Sequence, residues 1–455
     1  MTKSLTGFLF LFILLFSSAH SLQAQQKEDL KYRKWRVTLF PPLSTNGIEA
    51  PDYSARYSIN LLYGYHGALD GFEFGTLVNY NKYYSSGFSI AGFANISAGE
   101  IEGAALAGGF NISANDISGL HFAGLGNIAK GNVEGLLLTG FGNIANGSIE
   151  GLSVAGFGNI ANQNIEGLSV VGGLNYSGNN TEGLHVAGIG NISGKDQEGL
   201  LAAGILNFSG GNLSGLSAAG GLNIGKEIEG LSAAGIANIG DNMEGLQFAS
   251  VNLSGTAEGL QIGLVNIARE FEGMPIGLLS LYGNGRKNID LRFTDAGFTE
   301  VGLNLGTYRV SNMIIFGYNN SLSRDIYRLG WAIGYEKNIK DVFKNASNED
   351  YYITQELSIV RNFERKIDFD QETNLIWSYK YLFGKKFGSG LSVYGGPSLN
   401  MQVSRISGSS DYTWYSLWSP ERKGRQYRFW IGFNLGIRIF KQKTLEPIND
   451  FYWDR

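Results

Sequence analysis

The chain has 455 residues, of which 65 are Gly, 7 are Pro and none is Cys, and its formal net charge is −4. Collagen is excluded because there is no Gly-X-Y period and little Pro, and disorder is excluded because 43% of the residues are apolar. Without Cys the chain has no disulfide framework and no thiolate metal site.

The first segment has the order of a secretory signal peptide. Lys3 precedes an apolar run at 7–16, and small and polar residues then lead to Ala24. That run has about ten residues, whereas a membrane-spanning helix needs about 20. We therefore predict a signal peptide at 1–24 and export of the chain. No later stretch is apolar for long enough to form a transmembrane helix, so a membrane span would have to be a β-barrel.

Residues 25–70 precede the repeats and contain strand-like segments at 34–40 and 57–64. A stack of repeats exposes open strand edges at its ends, which invite aggregation unless they are covered. We expect these segments either to cap the repeats or to join the sheet of the C-terminal region.

A repeat fills residues 71–285. Gly recurs every 16 residues from Gly71 to Gly215 and then at shorter intervals to Gly273, which makes fourteen copies. The copy at 151–166 reads GLSVAGFGNIANQNIE, and positions within a copy are numbered here from its first Gly. Position 2 is apolar, position 4 is apolar, and position 9 is Asn in eleven copies.

The period selects the fold. A helical repeat needs about 33 residues or more, and a transmembrane hairpin needs two strands of roughly 9–11 residues. We therefore predict a β-solenoid of about fourteen coils, each of 14–16 residues. Leu and Val at positions 2 and 4 are expected to point inward, and Gly at positions 1 and 6 to form corners with positive φ. The Asn column is expected to lie at a bend, each amide bonding those of neighbouring coils. Its central members are Asn127, Asn143, Asn159, Asn175 and Asn191.

The repeat phrases carry a family resemblance. GLQIGLVNIA at 259–268 and GLSVAGFGNIA at 151–161, with LFPPLSTNG at 39–47 and SINLLYG at 58–64, resemble the bacterial surface-repeat proteins of Leptospira and Bacteroidetes. The resemblance covers about 35–440. It implies an exported surface or outer-membrane protein, and that family has no catalytic residues to carry over.

Residues 286–455 have a different pattern. In 429–439 every second residue is apolar, and the same alternation occurs in several other segments. We predict an antiparallel β domain that is either a small outer-membrane barrel or a soluble sheet that packs on the repeats. The charge changes too: 71–285 carries a net −12, 286–455 a net +6, and 1–70 a net +2. The eight predicted strands lie near 287–293, 299–308, 311–319, 326–337, 351–363, 373–384, 389–404 and 427–440.

Catalytic and cofactor motifs are weak. Segments such as Gly156–Ala161 match the dinucleotide pattern G-x-G-x-x-A, but a 16-residue period leaves no room for the helix that such a site needs. His121 and His185 hold the same position four coils apart, which does not assemble a metal site or a triad. We predict no catalytic residues and no cofactor.

Two sets of residues are candidate binding groups. Glu ends most copies, and five of these carboxylates would stack about 4.8 Å apart, either as a solvated corner or as a weak divalent-cation ladder. Near the C-terminus, the predicted loop 405–427 combines aromatic and basic side chains, which could bind a glycan or form an extracellular barrel loop or a membrane-interface belt. The members are Glu134, Glu150, Glu166, Glu182 and Glu198 in the column, and Trp414, Trp418, Arg422 and Arg425 in the loop.

These observations predict a non-enzymatic repeat protein at the outer membrane or surface of a Gram-negative-type bacterium. Its repetitive β face would serve adhesion or scaffolding, with the C-terminal domain as anchor or cap. The expected partner is the outer membrane or another envelope component, including a glycan or surface protein, and not nucleic acid. The alternative function is that of an outer-membrane β-barrel channel or transport protein, although about eight strands fill a barrel with side chains.

Overall fold

The computed structural model describes residues 30–320, 325–343, 350–405, 413 and 415–443. The predicted signal peptide lies outside these residues. The chain divides into two compact units, 1–235 and 236–455. It forms a β-solenoid of about fourteen turns, followed by a closed eight-stranded antiparallel barrel. Among the described residues, no helix has the length and apolar character needed to cross a bilayer.

The first unit is a stack of coils in which a longer strand alternates with a shorter one. Each strand pairs in parallel with the equivalent strand of the next coil, so that Ser153 meets Ser169 and Asn159 meets Asn175. The predicted solenoid is confirmed. A 3-10 helix spans Gly47–Asp52, and the strands are β1 Lys31–Phe40, β2 Leu43–Ser44, β3 Tyr53–Asn60, β4 Tyr63–Gly75, β5 Val78–Ala91, β6 Ala94–Ser97, β7 Ile101–Ala107, β8 Phe110–Ser113, β9 Ile117–Ala123, β10 Gly126–Ala129, β11 Val133–Thr139, β12 Gly142–Ala145, β13 Ile149–Ala155, β14 Gly158–Ala161, β15 Ile165–Val171, β16 Leu174–Ser177, β17 Thr181–Ala187, β18 Gly190–Ser193, β19 Gln197–Ala203, β20 Leu206–Ser209, β21 Asn212–Ala219, β22 Leu222–Ile224 and β23 Glu227–Ala234.

The direction of the side chains differs from the prediction. Leu152 at position 2 is 39% exposed and Val154 at position 4 is 36% exposed, whereas Ser153 between them is buried. The expectation that positions 2 and 4 point inward was wrong. Gly151 has φ +103° and interrupts the two-residue alternation, so Glu150, Gly151 and Leu152 all face away from the core.

Gly is required at positions 1 and 6 for two different reasons. Gly167 at position 1 has φ +101°, and a Cβ there would lie 2.4 Å from the carbonyl oxygen of Gly151 in the preceding coil. Gly156 at position 6 has no positive φ, but its Cβ would lie 2.0 Å from the carbonyl oxygen of Gly140. The positive φ predicted for position 1 is confirmed, but Gly151 and Gly167 lie within the longer strands and not at corners. Position 6 lies in a turn, without a positive φ, and needs Gly because the backbones approach closely.

The Asn column forms a ladder of side-chain hydrogen bonds in the core. Asn143 Nδ2 donates to Asn159 Oδ1 over 2.9 Å, and Asn175 Nδ2 donates to Asn191 Oδ1 over 2.9 Å. These side chains are fully buried, and the predicted bonding between coils is confirmed. Each Asn lies within the shorter strand of its coil, however, and not at a bend.

The strands before the repeats belong to the solenoid. β1 pairs in parallel with β3, β3 with β4, and β4 with β5, so the segments at 34–40 and 57–64 extend the stack of coils. A buried polar cluster lies between these strands. Arg36 Nη2 donates to Glu73 Oε1 over 3.0 Å, and both side chains are fully buried.

The second unit begins with solenoid coils of 14 residues. Asn238, Asn252 and Asn266 lie opposite one another, and Ser280 takes the next place in this column. The strands are β24 Ala237–Phe248, β25 Val251–Ile262, β26 Val265–Ile276 and β27 Leu279–Tyr282.

Residues 286–439 then form the barrel. Consecutive strands pair antiparallel, and the first strand closes against the last, where Leu291 lies opposite Ile437. The eight predicted strands are confirmed, and the closure decides between the barrel and the open sheet. The strands are β28 Arg286–Thr294, β29 Thr299–Gly306, β30 Val310–Asn319, β31 Ile326–Asn338, β32 Tyr351–Glu364, β33 Asn374–Phe387, β34 Leu391–Ser404 and β36 Arg425–Ile439, with β35 Glu421–Arg422 paired to β36 and helix α1 at Ile339–Val342.

Within the second unit, the last coils contact one end of the barrel. Asn312 Nδ2 donates to the carbonyl oxygen of Pro275 over 2.9 Å, and Trp331 Nε1 donates to that of Gly277 over 2.7 Å. Asn312 Nδ2 also donates to Ser280 Oγ over 3.1 Å. The short turns 307–309 and 388–390 and the longer connection 339–350 lie at this end of the barrel, whereas the connections 365–373 and 405–424 join strands at the other end.

The Asn ladder gives a test of the fold. Asn175→Ala removes the donor to Asn191 Oδ1 and an acceptor of Asn159 Nδ2, so we expect a loss of about 2–3 kcal/mol in the free energy of unfolding. Hydrogen exchange should show weaker protection in the coils around residue 175. Asn162→Ala is the control, because this exposed Asn bonds only at the turn and its loss should cost less than about 0.5 kcal/mol. Equal effects of the two variants would contradict the proposed role of the ladder.

Candidate functional site: the barrel and the repeat columns

The barrel has an apolar exterior and a polar interior. In β36, Ile431, Phe433 and Leu435 face outward and are between 46% and 55% exposed, whereas Asn434 and Arg438 face inward and are buried. The other strands repeat the apolar exterior, and their interior is mostly polar. The interior also contains one buried apolar cluster, formed by Met313, Ile315, Ala332, Val360, Ile376 and Trp430. The outward-facing Lys side chains lie next to strand ends, as at 287, 337 and 385.

One group of ion pairs fills part of the lumen. Arg292 donates to both carboxylate oxygens of Glu356, over 2.8 and 2.7 Å. Lys380 Nζ donates to Glu356 Oε1 over 2.8 Å, and Arg328 Nη1 donates to Glu300 Oε1 over 2.7 Å. All five side chains are at least 95% buried. Because every buried charge has an opposite charge within hydrogen-bond distance, the cluster is tolerated without water.

A second group lies nearer the end that contacts the solenoid coils. Arg438 donates to both oxygens of Asp290 over 2.9 Å and to Glu336 Oε2 over 2.9 Å. Arg286 Nη2 also donates to Glu336 Oε2, over 2.6 Å, and Lys386 Nζ lies 3.0 Å from Glu336 Oε1. Strands β28, β31, β33 and β36 are thereby joined across the interior of the barrel.

Tyr394 connects the two groups. Its hydroxyl donates to Asp290 Oδ2 over 3.0 Å and accepts from Arg292 Nε over 3.4 Å. The nearby cavity that Glu300, Arg328 and Lys380 line has a volume of about 20 Å³, enough for about one water. The lumen is therefore filled by side chains at this level.

The predicted Glu column is in register. Glu134, Glu150, Glu166, Glu182 and Glu198 occupy directly paired positions in successive coils. Burial, and then the neighbouring carboxylates of Glu134 and Glu166, raise the pKa of Glu150. In the described part of the chain, no group of three or more His, Asp or Glu side chains is arranged to hold a metal ion. Cation binding by the column stays a prediction.

His121 and His185 are fully buried at position 3 of coils four apart, as the repeat numbering implies. Burial lowers the pKa of both imidazoles. His185 Nε2 lies 2.9 Å from the carbonyl oxygen of Glu182 in the same coil. Each His occupies a core site that Leu fills in other coils, such as Leu137 and Leu201.

The aromatic and basic loop is described in part. Trp418 is 61% exposed and its ring centroid lies 5.2 Å from that of Phe429. Arg422 lies directly opposite Arg425 across the β35–β36 turn, and both are exposed. Trp414 lies outside the described residues. The structure thus puts three of the four predicted residues on one hairpin, and glycan binding there stays a prediction.

Sequence reasoning missed the two ion-pair groups and the buried pair Arg36–Glu73. The signal in the barrel was the charge of the residues interleaved with the apolar ones, as at Asp290 and Arg292. Alternation alone does not say which set of side chains faces inward, and this choice separates a soluble sheet from the barrel observed here.

Compared with known proteins, the chain matches no family model, no curated protein and no solved structure. The resemblance to the surface-repeat proteins of Leptospira and Bacteroidetes therefore stays a prediction.

Glu150→Gln tests the electrostatics of the column. Because the pKa of Glu150 is raised, the folded state disfavours its charged form, and this destabilisation appears as the pH rises through that pKa. We expect Glu150→Gln to stabilise the protein at pH 7 by less than about 1 kcal/mol and to have no effect below about pH 4. Thermal unfolding at both pH values measures the difference.

Glu102→Gln is the matched control, because the neighbours of Glu102 in the column are Ser86 and Ser118 and carry no charge. Its substitution should leave stability unchanged at both pH values. A different result would favour the cation ladder: Ca²⁺ stabilises the original chain against unfolding, and the Glu150→Gln variant loses this stabilisation.

His185→Leu tests the buried imidazole. A lowered pKa means that the unfolded chain binds the proton more tightly, so stability is complete above about pH 6.5 and falls as the pH drops below it. Below about pH 6.5, this His lowers the free energy of unfolding by up to about 1.4 kcal/mol for each pH unit. Unfolding of His185→Leu between pH 7.5 and 5.5 should show a smaller loss than the original chain. An unchanged pH dependence would mean that His185 has the same pKa in the folded and the unfolded chain.

Proposed function

We propose that this chain is a non-enzymatic, exported protein of the outer membrane, in which the barrel is the membrane anchor and the solenoid is a scaffold. The observation that carries this proposal is the reversed distribution of side chains in the barrel. Outward-facing residues such as Leu399, 59% exposed, and Phe433, 55% exposed, would face water in a soluble protein. In a bilayer they face lipid, whereas the ion pairs stay inside.

Backbone geometry supports the same proposal. A bilayer accepts only structures in which every backbone N–H and C=O is bonded internally, and closure of β28 against β36 removes the free edges of the sheet. Most of the strands have ten or more residues, which meets the roughly 9–11 residues that a tilted strand needs to cross the hydrocarbon layer. The Lys residues next to the strand ends have side chains long enough to reach the headgroup layer.

The filled lumen supports an anchor over the alternative function of a channel. The ion pairs around Glu356 and Glu336 join opposite parts of the wall, and a conducting path would require them to separate. An eight-stranded barrel is just wide enough for its interior to be filled by side chains. We therefore favour anchoring over transport.

The lengths of the barrel loops bear on which side of the membrane the adjoining coils lie. In outer-membrane barrels the short turns face the periplasm and the long loops face outward. The coils at 265–282 contact the end that carries the short turns 307–309 and 388–390 together with the connection 339–350, whereas the longest connection, 405–424, joins strands at the other end. This arrangement favours scaffolding on the periplasmic side over adhesion at the cell surface. The partner would be an envelope component, such as the membrane itself, a glycan or another envelope protein.

Leu399→Arg tests the membrane anchor. Leu399 lies near the middle of β34 and faces outward, so in lipid its replacement by Arg should lower the free energy of unfolding by about 2–4 kcal/mol. Leu391→Arg, at the first residue of the same strand, should cost about 0–1 kcal/mol. Urea unfolding of the full chain in phosphatidylcholine vesicles measures both.

A soluble barrel would tolerate both variants equally, and the original chain would then be released from vesicles by alkaline carbonate. Steady ion conductance of the full chain in planar bilayers would overturn the anchor and favour the channel.

A further inference from the structure

The solenoid of the first unit exposes an unusual amount of apolar surface. In the nine copies between Gly87 and Glu229, positions 2, 4, 7 and 10 hold only apolar residues or Gly. All of the apolar side chains at these positions except Ile144 are half-exposed or exposed. We call this set of four columns the apolar ridge. In the copy at 151–166 it consists of Leu152, Val154, Phe157 and Ile160, which are between 36% and 43% exposed.

The ridge covers three sides of each coil. Ser153 Oγ donates to Asn159 Oδ1 over 2.9 Å, so the longer and shorter strands of a coil meet through their inward-facing side chains. Leu152 and Val154 therefore face outward on one side, and Ile160 faces outward on the opposite side. Phe157 lies in the turn that joins the two strands.

The outward-facing polar and charged residues are concentrated on the remaining edge. Positions 12 to 14 are Asn, Gln, Lys, Asp, Glu, Ser, Gly or Ala, except for Ile228 in the shortened last copy, and Glu occupies position 16 in most copies. Each coil is thus amphipathic across its width, with the Glu column at the border between the apolar ridge and the polar edge.

The area of the ridge is too large for an ordinary soluble surface. An exposed third of a large apolar side chain amounts to roughly 60 Å², so nine coils leave on the order of 1,500 Å² uncovered. The largest apolar patch on a typical soluble monomer is about 300–600 Å². Something apolar is therefore expected to cover the ridge.

We propose that the apolar ridge is immersed in the apolar layer of a phospholipid membrane, with the solenoid axis along the membrane plane and the polar edge in water. A second copy of the chain, or any other folded protein, presents a fixed surface and could cover one side of each coil. A fluid hydrocarbon layer covers both faces and the turn between them. The occupant that fits a three-sided ridge is lipid.

The backbone is compatible with this environment. Within the first unit the strands of each coil bond to those of the next, and turn groups do so as well, as in the 2.7 Å bond from Phe157 N to the carbonyl oxygen of Phe141. Buried Asn and Ser side chains bond to one another in the core. The ridge thus brings no unpaired strand edge into lipid. Like an amphipathic helix in a membrane interface, the solenoid has internally bonded backbone groups and one apolar side.

This inference builds on the proposed membrane anchor, and one experiment separates the two. Because the chain has no Cys, single Cys variants accept a nitroxide spin label without background. Labels would be attached to the full chain at Leu168→Cys and Ile160→Cys on the two faces of the ridge and at Phe157→Cys in its turn. Gln163→Cys on the polar edge and Leu399→Cys on the barrel exterior are the controls.

The labelled chains would be reconstituted in phosphatidylcholine vesicles, and collisions with oxygen and with a water-soluble nickel chelate would be measured. Oxygen concentrates in lipid, whereas the chelate stays in water. We expect the ratio of oxygen to nickel collisions at the three ridge positions to exceed that at Gln163→Cys severalfold and to approach that at Leu399→Cys.

Three other outcomes would overturn the inference. Ridge labels as accessible to nickel as the label at Gln163→Cys would mean that the ridge faces water. Labels protected from both reagents, with dipolar broadening that disappears on dilution with unlabelled chain, would mean that a second copy covers it. Protection from both reagents without such broadening would mean a different protein contact or a buried site. A label at Leu399→Cys that faces lipid in any of these cases would leave the anchor intact, whereas nickel access at Leu399→Cys would refute the anchor itself.

Discussion

Hydrogen bonding between equivalent residues of neighbouring coils is the interaction on which the solenoid depends. Asn159 bonds to the Asn of the coil before and the coil after, and the backbone around it does the same. A column of this kind requires the same residue type at the same position in each copy. It also requires neighbouring backbones to lie close together, so that Gly is the only tolerated residue at positions such as Gly156. The core combines this polar column with a buried apolar column at position 15, which includes Ile149 and Ile165, and the large apolar side chains at positions 2, 4, 7 and 10 remain on the outside.

The barrel follows the same principle by different means. Many of its buried polar groups are charged, and these are paired with opposite charges on other strands, as Arg292 and Lys380 are paired with Glu356. Removing one partner would leave an uncompensated charge, which costs far more than the pair contributes. In both units the Asn ladder or the ion pairs thus find their partners inside the protein, and large apolar side chains lie on the surface. A protein with this distribution of side chains is more stable in contact with lipid than in water.

Much of the fold could be predicted from periodicity. The 16-residue spacing predicted the coils, and alternation predicted all eight barrel strands to within a few residues. Periodicity could not predict whether positions 2 and 4 face inward or outward. That direction depends on one backbone angle, at Gly151, which shifts the alternation by one residue. The ion pairs also escaped prediction. Glu336 and Arg438 are 102 residues apart in sequence, and only the closure of the sheet brings them together.

The 14-residue coils have a consequence for how such a chain can change in length. Between β24 and β26 each copy is shorter than in the first unit, yet Asn252 still faces Asn266 and Gly259 still faces Gly273. One missing residue lies before the Asn, which moves from position 9 to position 8, and the other lies after it, in the polar turn, while the bonded columns keep their register. Whole coils can therefore be duplicated or lost, and turns can be trimmed, without disturbing any column. A single residue removed from a strand would instead rotate the rest of that coil and turn its Asn out of the core. The repeat is thus tolerant of change in units of one coil and intolerant of change within a strand, which lets the scaffold vary in length while its cross-section stays constant.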